Sequence, residues 1–440
     1  MSRARILFVA EAVTLAHVAR MIMLAEGMDK RNWEVLLATD PRYLHMVGKI
    51  GFAVQPIWSM PTSKFQRALA RGTTIFDTAT LERYVQDDIA LFERVRPDII
   101  IGDFRASLGI SARVMQVPYI NVTNAYWSPL AQIRRLVPEY RFVKVLGLPL
   151  ASLAFRVLQR VGYAHHALPV NRVRKRHHLK TLRYDFREML KDGDRTCYAD
   201  LPEIVPVESL TATERYIGPV HWSPPLSLPP WWSAATGPHD PRPVIYVSLG
   251  SSGPAEVLQT VLDALGSMPV RVLASSAGHP GSLSLPKNVW LGDLLPGDDA
   301  CRAASVVVTN GGSPSTYQAL GQGRPVIGIA TNMDQFLSMA AVEDAGCGRL
   351  LRSGSVSTDA IRASVAAVLD DGAMAERASA VAERMARTDC IQVLERVVAE
   401  LLDEVAYSQH QMGREAIMPV ACGGAARDAV PGRAGRSEPR

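Results

Sequence analysis

With 440 residues and 48% hydrophobic side chains, the chain can bury more core than one ordinary α/β domain and is long enough for two. Charged residues at 21% exclude global disorder, and a formal net charge of +5 without a dense basic stripe or recognisable motif excludes a nucleic-acid partner. Five cysteines, at 197, 301, 347, 390 and 422, form no CxxC pair, which argues for reduced thiols in a cytoplasmic chain, without structural disulfides or a zinc site.

From the N-terminus, an apolar run of Ile6–Ala10 is interrupted by Glu11. It is too short for a signal segment and suits a strand buried on both faces, taken as Arg5–Ala10. A helical pattern follows over Ala16–Gly27, then strand patterns at Trp33–Thr39, Phe52–Trp58, Asp98–Gly102 and Pro118–Val122. Strands alternating with helices predict right-handed βαβ units in a doubly wound sheet.

Residues 134–191 break the alternation. They read as a helical insert, apolar over Phe142–Tyr163 and then basic, with Arg172, Arg174, Lys175, Arg176, Lys180 and Arg183. Pro149 interrupts the longest apolar stretch, so no segment reaches the ~20 apolar residues that a bilayer span needs. Two readings stay open for this insert. It docks peripherally on an anionic membrane, at the inner face, or it walls an acceptor pocket with its charges solvated.

A proline-rich tract, 223–243, reads as an extended linker. The alternation then restarts, with strands at Val244–Ser248, Val270–Ala274, Val289–Trp290, Ser305–Thr309 and Pro325–Ile329 and a helix over Ala255–Leu265. A second helix opens at Asn310-Gly311-Gly312 and runs to about Gly321; further helices extend to about Ser408. The end, 409–440, is rich in Gly, Ala, Arg and Pro and is expected to be disordered.

The expected architecture is therefore α/β, with two Rossmann-like doubly wound domains facing across a cleft. The first is 1–222 with the insert at about 134–191, the linker is 223–243, and the second is 244–408. Open α/β sheets bind ligands beyond the carboxyl ends of their strands. His17 and Asp103 lie at such ends in the first half. In the second half the carboxyl ends carry Gly250, Ser251 and Ser252, and the pair Gly311-Gly312 before a helix start with Ser313 and Ser315 as capping candidates. Free N–H groups at such a turn favour a diphosphate, although many glycine-rich turns are only tight connections.

The segment Val306–Gly348 carries more than its glycines. Asn310, Gly311, Gly312, Ser315, Gln318, Gly323, Pro325, Asp334 and Gln335 follow the order and spacing of the donor-sugar signature of UDP-glycosyltransferase-like enzymes with the GT-B fold, and the segment resembles it. Gly218–Trp222, Val247–Gly250 and Trp290–Pro296 extend the likeness. Departures are clear: Asn310 stands where the family has a phosphate-contacting His, Gln318 where it has a ribose-binding Glu, and Leu294 or Leu295 where an aromatic stacks on the base. In the first half, Ala16 and Arg20 replace a Gly and a frequent Pro around His17.

The resemblance implies a UDP- or dTDP-sugar as donor, an acceptor hydroxyl on a small or lipophilic molecule, and no other cofactor. It implies that Asp334 and Gln335 bond the sugar hydroxyls, that His17 is the general base, and that Asp103 orients it. Inversion at the anomeric carbon follows. No DxD motif is suitably placed, since Asp192-Gly-Asp194 reads as a surface turn, so no metal is expected. Two rival readings remain: a nucleotide-sugar epimerase, and a catalytically silent relative that binds or activates a partner.

Overall fold

The computed structural model describes residues 3–223, 226–250, 255–276 and 283–415. Ser251 and Ser252, together with residues 416–440 of the expected tail, lie outside the described residues.

The first sheet contains β1 (Ala4–Ala10), β2 (Trp33–Thr39), β3 (Ala53–Pro56), β4 (Ile99–Asp103), β5 (Tyr119–Thr123), β6 (Arg195–Tyr198) and β7 (Glu214–Tyr216). Their order is β3-β2-β1-β4-β5-β6-β7, and every pair is parallel. Ile6 to Ala10 are wholly buried because helices cover both faces, which is why β1 shows no polar alternation.

The second sheet contains β8 (Val244–Ser248), β9 (Arg271–Ser275), β10 (Val289–Gly292), β11 (Val306–Thr309), β12 (Val326–Ala330) and β13 (Gly348–Arg352). It is parallel throughout, in the order β10-β9-β8-β11-β12-β13.

Each sheet reverses its winding once, the place where open α/β sheets take ligands. In the first, β1 and β4 are neighbours, with Ala10 opposite Asp103. In the second, β8 and β11 are neighbours, with Ser248 opposite Thr309. At such a reversal an open α/β sheet leaves a crevice beyond the carboxyl ends of its strands.

Several boundaries differ from the pattern. Strands β6, β7 and β13 are short and without clear apolar alternation, so periodicity does not reveal them. The insert is helical only over Arg141–Arg176, broken at Gly147 (φ 72°, ψ 160°) just before Pro149, with a short 3₁₀ stretch at Phe186–Lys191. Residues 134–140 are not helical because they clasp the second domain. There Arg134 pairs with Glu343 and Asp344 at 2.8 and 2.6 Å, and Glu139 with Arg352 at 2.7 Å. Helix Arg141–Arg176 is, against expectation, long and apolar enough to cross a bilayer by length and composition.

The linker is not wholly extended. Residues Trp232–Thr236 form a helical turn, and Trp231 and Trp232 pack against the second domain's core. The last helix, Cys390–Glu415, carries regular structure past the expected start of the tail. It also leaves the second domain: Leu394, Val397, Val398 and Leu401 pack with Ile6, Phe8 and Leu24. Glu395 there accepts from the Asp29 N–H and the Trp33 indole at 2.7 and 3.1 Å.

Candidate active site

The crevice is built first from the end of β1. Its chain turns through Glu11–Thr14 into helix Leu15–Gly27, which places His17 in the first turn. Asp103 ends β4, one residue further into the strand than the pattern suggests. His17 Nδ1 lies 3.1 Å from Asp103 Oδ1. The N–H is poorly aligned on that oxygen, so the contact is more electrostatic than a straight hydrogen bond; such bonds commonly tighten when substrate binds. Phe104 stacks flat on the imidazole, centroids 4.8 Å apart and planes 3° apart. To do so Phe104 adopts φ 57°, a left-handed conformation that costs a bulky residue on the order of 1–3 kcal/mol.

Three residues on from His17, on the same helix face, is Arg20. Its Nη1 donates to Asp103 Oδ2 at 3.2 Å and its Nη2 to Asn124 Oδ1 at 2.8 Å. Asn124, just after β5, donates onward to Ser313 Oγ at 2.9 Å and to Asp200 at 3.1 Å. Asp200 also accepts from the Tyr317 hydroxyl at 2.9 Å. A buried polar chain thus runs from His17 across the domain boundary to helix Ser313–Gly321. Burial alone would raise the Asp103 carboxyl, but His17 and Arg20 outweigh it and hold it below the usual value. Burial of Asp200 wins over its partners and pushes its carboxyl up to about 6.

Behind this edge Glu11, Asp88 and Arg105 are fully buried together. Two carboxylates share one guanidinium, so the cluster is neutral only with one proton on a carboxyl. Burial raises Glu11 to about 7, against the pull of Arg105 and a 2.8 Å bond from the Tyr84 hydroxyl.

The facing edge is made differently. Gly250 (φ 60°) and Gly311 (φ 79°) take left-handed turns. A Cβ on Gly250 would stand 3.2 Å from Asn310 Nδ2; one on Gly311 would stand 2.5 Å from Met339 Cγ. Helix Ser313–Gly321 then starts with Gly312 at its N-cap and Pro314 near its first turn. Neither serine caps it: Ser313 accepts from Asn124, and Ser315 Oγ donates to Gly312 O at 3.0 Å. The Gly311 and Gly312 N–H groups donate to Thr309 Oγ1 and Asn310 Oδ1 at 2.8 and 3.0 Å. The helix start itself, with its dipole, is left to face an anion.

The other donor-side candidates have protein partners. Gln318 Nε2 donates to Asp298 at 2.9 Å and to Trp222 O at 3.4 Å. Asp334 accepts from the Tyr126 hydroxyl and the Trp127 indole, both at 3.0 Å. Gln335 is buried and forms a capping box with Asn332, its Oε1 accepting from the Thr331 and Asn332 N–H groups. Leu294 is partly exposed and Leu295 buried. Asp192-Gly-Asp194 is not a surface turn: Asp192 is buried against Arg113 and Arg174, and Asp194 accepts from the Tyr119 N–H at 2.8 Å. No trio of metal-ligating side chains is found among the described residues.

Comparison with known proteins decides the family. Residues 259–401 match the model described as Erythromycin biosynthesis protein CIII-like, C-terminal domain. A PGL/p-HBAD biosynthesis rhamnosyltransferase of Mycobacterium bovis (strain BCG / Pasteur 1173P2) is 40% identical over 417 residues, 95% of this chain and 89% of that protein. A PGL/p-HBAD biosynthesis glycosyltransferase of Mycobacterium tuberculosis (strain ATCC 25177 / H37Ra) is 42% identical over 381 residues, covering 87% and 88%. The chain belongs to the GT-B nucleotide-sugar glycosyltransferases. The fold agrees, since the glycotransferase of kitacinnamycin superposes with a TM-score of 0.66 at 20% identity, over 91% of this chain and all of that one. The epimerase and silent-partner readings give way to an enzyme that transfers sugar.

In this glycosyltransferase, pattern reading missed Asn124, Asp200, Tyr126, Trp127 and Tyr317, all at the domain boundary. Asn124 follows a strand end directly, the same signal that marks Asp103. Asp200 follows β6, which was itself invisible in the pattern.

Proposed function

We propose that this enzyme inverts the anomeric centre as it moves a hexosyl group from a nucleoside diphosphate, UDP or dTDP, to a hydroxyl of a lipophilic acceptor. The observation that carries this reading is the His17–Asp103 contact at the reversal of the first sheet, facing the helix start at Ser313 across the crevice.

The acceptor O–H gives its proton to His17 Nε2 while its oxygen attacks the anomeric carbon. The bond from that carbon to the diphosphate oxygen breaks, and the nucleoside diphosphate leaves with the electron pair. Asp103 stabilises the imidazolium that forms, and Arg20 keeps Asp103 ionised. Helix Ser313–Gly321 presents its positive end to the departing diphosphate. Asp334 and the Gly250 turn, the latter beside Asn310, line the donor side. Phe104, with Phe65 and Phe76 against it, gives the acceptor side an aromatic wall beside the base. The names of the mycobacterial relatives make a rhamnosyl donor the first to try.

The test is transfer from dTDP-rhamnose and from UDP-glucose to an alkylated phenol, with the product's anomeric configuration read by NMR. Inverted product from either donor, at a rate unchanged by excess EDTA, is expected. Retained configuration, or a strict divalent-metal requirement, overturns the scheme.

A further inference from the structure

Helix Arg141–Arg176 is packed on one side and bare on the other. Val143, Ala151, Phe155, Tyr163 and Ala167 are buried against the globule. On the outer side Val145 is 83% exposed, Leu150 60%, Leu153 58%, Val157 67%, Leu158 58% and Val161 64%. A soluble surface rarely leaves so many large apolar side chains contiguous on one helix.

The charge that this segment itself carries has one sign. From Arg141 to Tyr184 the sequence holds no Asp or Glu. Arg141, Lys144, Arg156, Arg160, Arg172 and Lys175 are exposed there, and none has an ion-pair partner among the described residues. A second copy seated on this face would set these cations against their own counterparts. An anionic surface would neutralise them.

The buried side of the same helix reaches the site. Val143, Ala151 and Phe155 cluster with Met333, the residue before Asp334. Tyr163 rests on Phe186 at 5.5 Å, and Phe186 on Trp127 at 5.3 Å, whose indole bonds Asp334. The bare face is therefore one layer of side chains from the crevice.

We propose that this face docks on an anionic lipid bilayer, its apolar side chains entering the acyl boundary and its cations meeting lipid phosphates, so that the crevice opens at the membrane surface. The helix lies on the membrane and does not cross it, because its inner side is committed to the globule and Gly147 breaks its axis. Docking stands independently of the sugar chemistry, which it complements by bringing the enzyme to acceptors that partition into lipid.

Flotation of the full chain with vesicles tests this, comparing equal parts phosphatidylcholine and phosphatidylglycerol with phosphatidylcholine alone. The protein should float with the anionic vesicles, and less so as salt rises. The double variant Leu153→Asp, Leu158→Asp should weaken flotation by about tenfold or more, since two apolar side chains are replaced by anions. Arg156→Gln with Arg160→Gln should abolish much of the preference for phosphatidylglycerol. Turnover of a water-soluble acceptor should be unchanged in both, which certifies the fold. Failure of the wild-type chain to float, or equal flotation of all variants, overturns the proposal. So does a dimer seen by ultracentrifugation that the aspartate variant dissolves while flotation is unaffected. A chain that floats yet transfers no sugar would defeat the proposed reaction and leave docking intact.

Discussion

The two sheets reverse at equivalent points, yet their edges are furnished in opposite ways. At the first, ionisable side chains meet in a network that is buried except at His17: His17, Asp103, Arg20 and, through Asn124, Asp200. At the second, glycines and a helix start do the shaping, and side chains mainly tie down backbone N–H groups. The proposed reaction accounts for the difference. A proton acceptor needs a tuned side chain with a fixed partner, whereas a diphosphate needs close backbone approach and a dipole. Charged side chains at the second edge would have to be desolvated with each substrate; a helix start is already oriented.

Removing the first edge's base gives the largest expected effect. His17→Ala should lower kcat by roughly a hundred- to ten-thousandfold, the range of general-base catalysis, while leaving donor affinity measured by calorimetry unchanged. Near wild-type turnover would transfer the proton chemistry elsewhere and break the contrast.

Arg20→Met comes next. It leaves a buried carboxylate with one partner fewer, a loss of about 3–5 kcal/mol in denaturant unfolding. Because Arg20 helps hold the Asp103 carboxyl low against burial, its loss should also move the acid limb of kcat/KM to higher pH. A merely structural arginine would lower stability without moving that limb.

At the second edge the sensitive group is backbone. Gly311→Ala forces a Cβ onto φ 79° and toward Met339, costing about 1–3 kcal/mol. It should raise the KM for the donor more than it lowers kcat in steady-state kinetics. The reverse split would mean that this turn shapes the reacting centre as well as the diphosphate site.

The smallest effect is a slope. Glu11 is raised from 4.5 to about 7, so its proton, bound more tightly in the folded chain, contributes stability that is complete below pH 4.5 and lost as pH rises through about 7. Glu11→Gln keeps an acceptor for Tyr84 but removes the proton. Relative to that variant, the wild-type chain should lose stability between these limits, by at most about 1.4 kcal/mol per pH unit in thermal unfolding. A flat difference would show that Arg105 keeps Glu11 ionised.

Much of this was legible before the fold. Buried parallel strands announce themselves as unbroken apolar runs, and His17 and Asp103 stand out because each follows one. That His17 and Arg20 share one helix face, and so can reach one carboxylate, was within reach from helical spacing alone. What pattern could not supply was long-range: Asn124 meets Ser313 across 189 positions, and Tyr126 and Trp127 meet Asp334 across more than two hundred. Periodicity reports which face of an element is buried, and is silent about what buries it. For that reason helix Cys390–Glu415 read as part of the second domain although its apolar stripe lies on the first.

That returning helix governs how the crevice can open. The chain crosses between the domains once near Gly218 and again near Thr388, and the two crossings touch, since a Cβ on Gly218 would stand 2.5 Å from Thr388 Cγ2. A body held by one strand can swivel in any direction. With the two crossings in contact, a swing of one domain on the other would turn at Gly218 and Thr388, and it would have to part Asp334 from Tyr126 and Trp127.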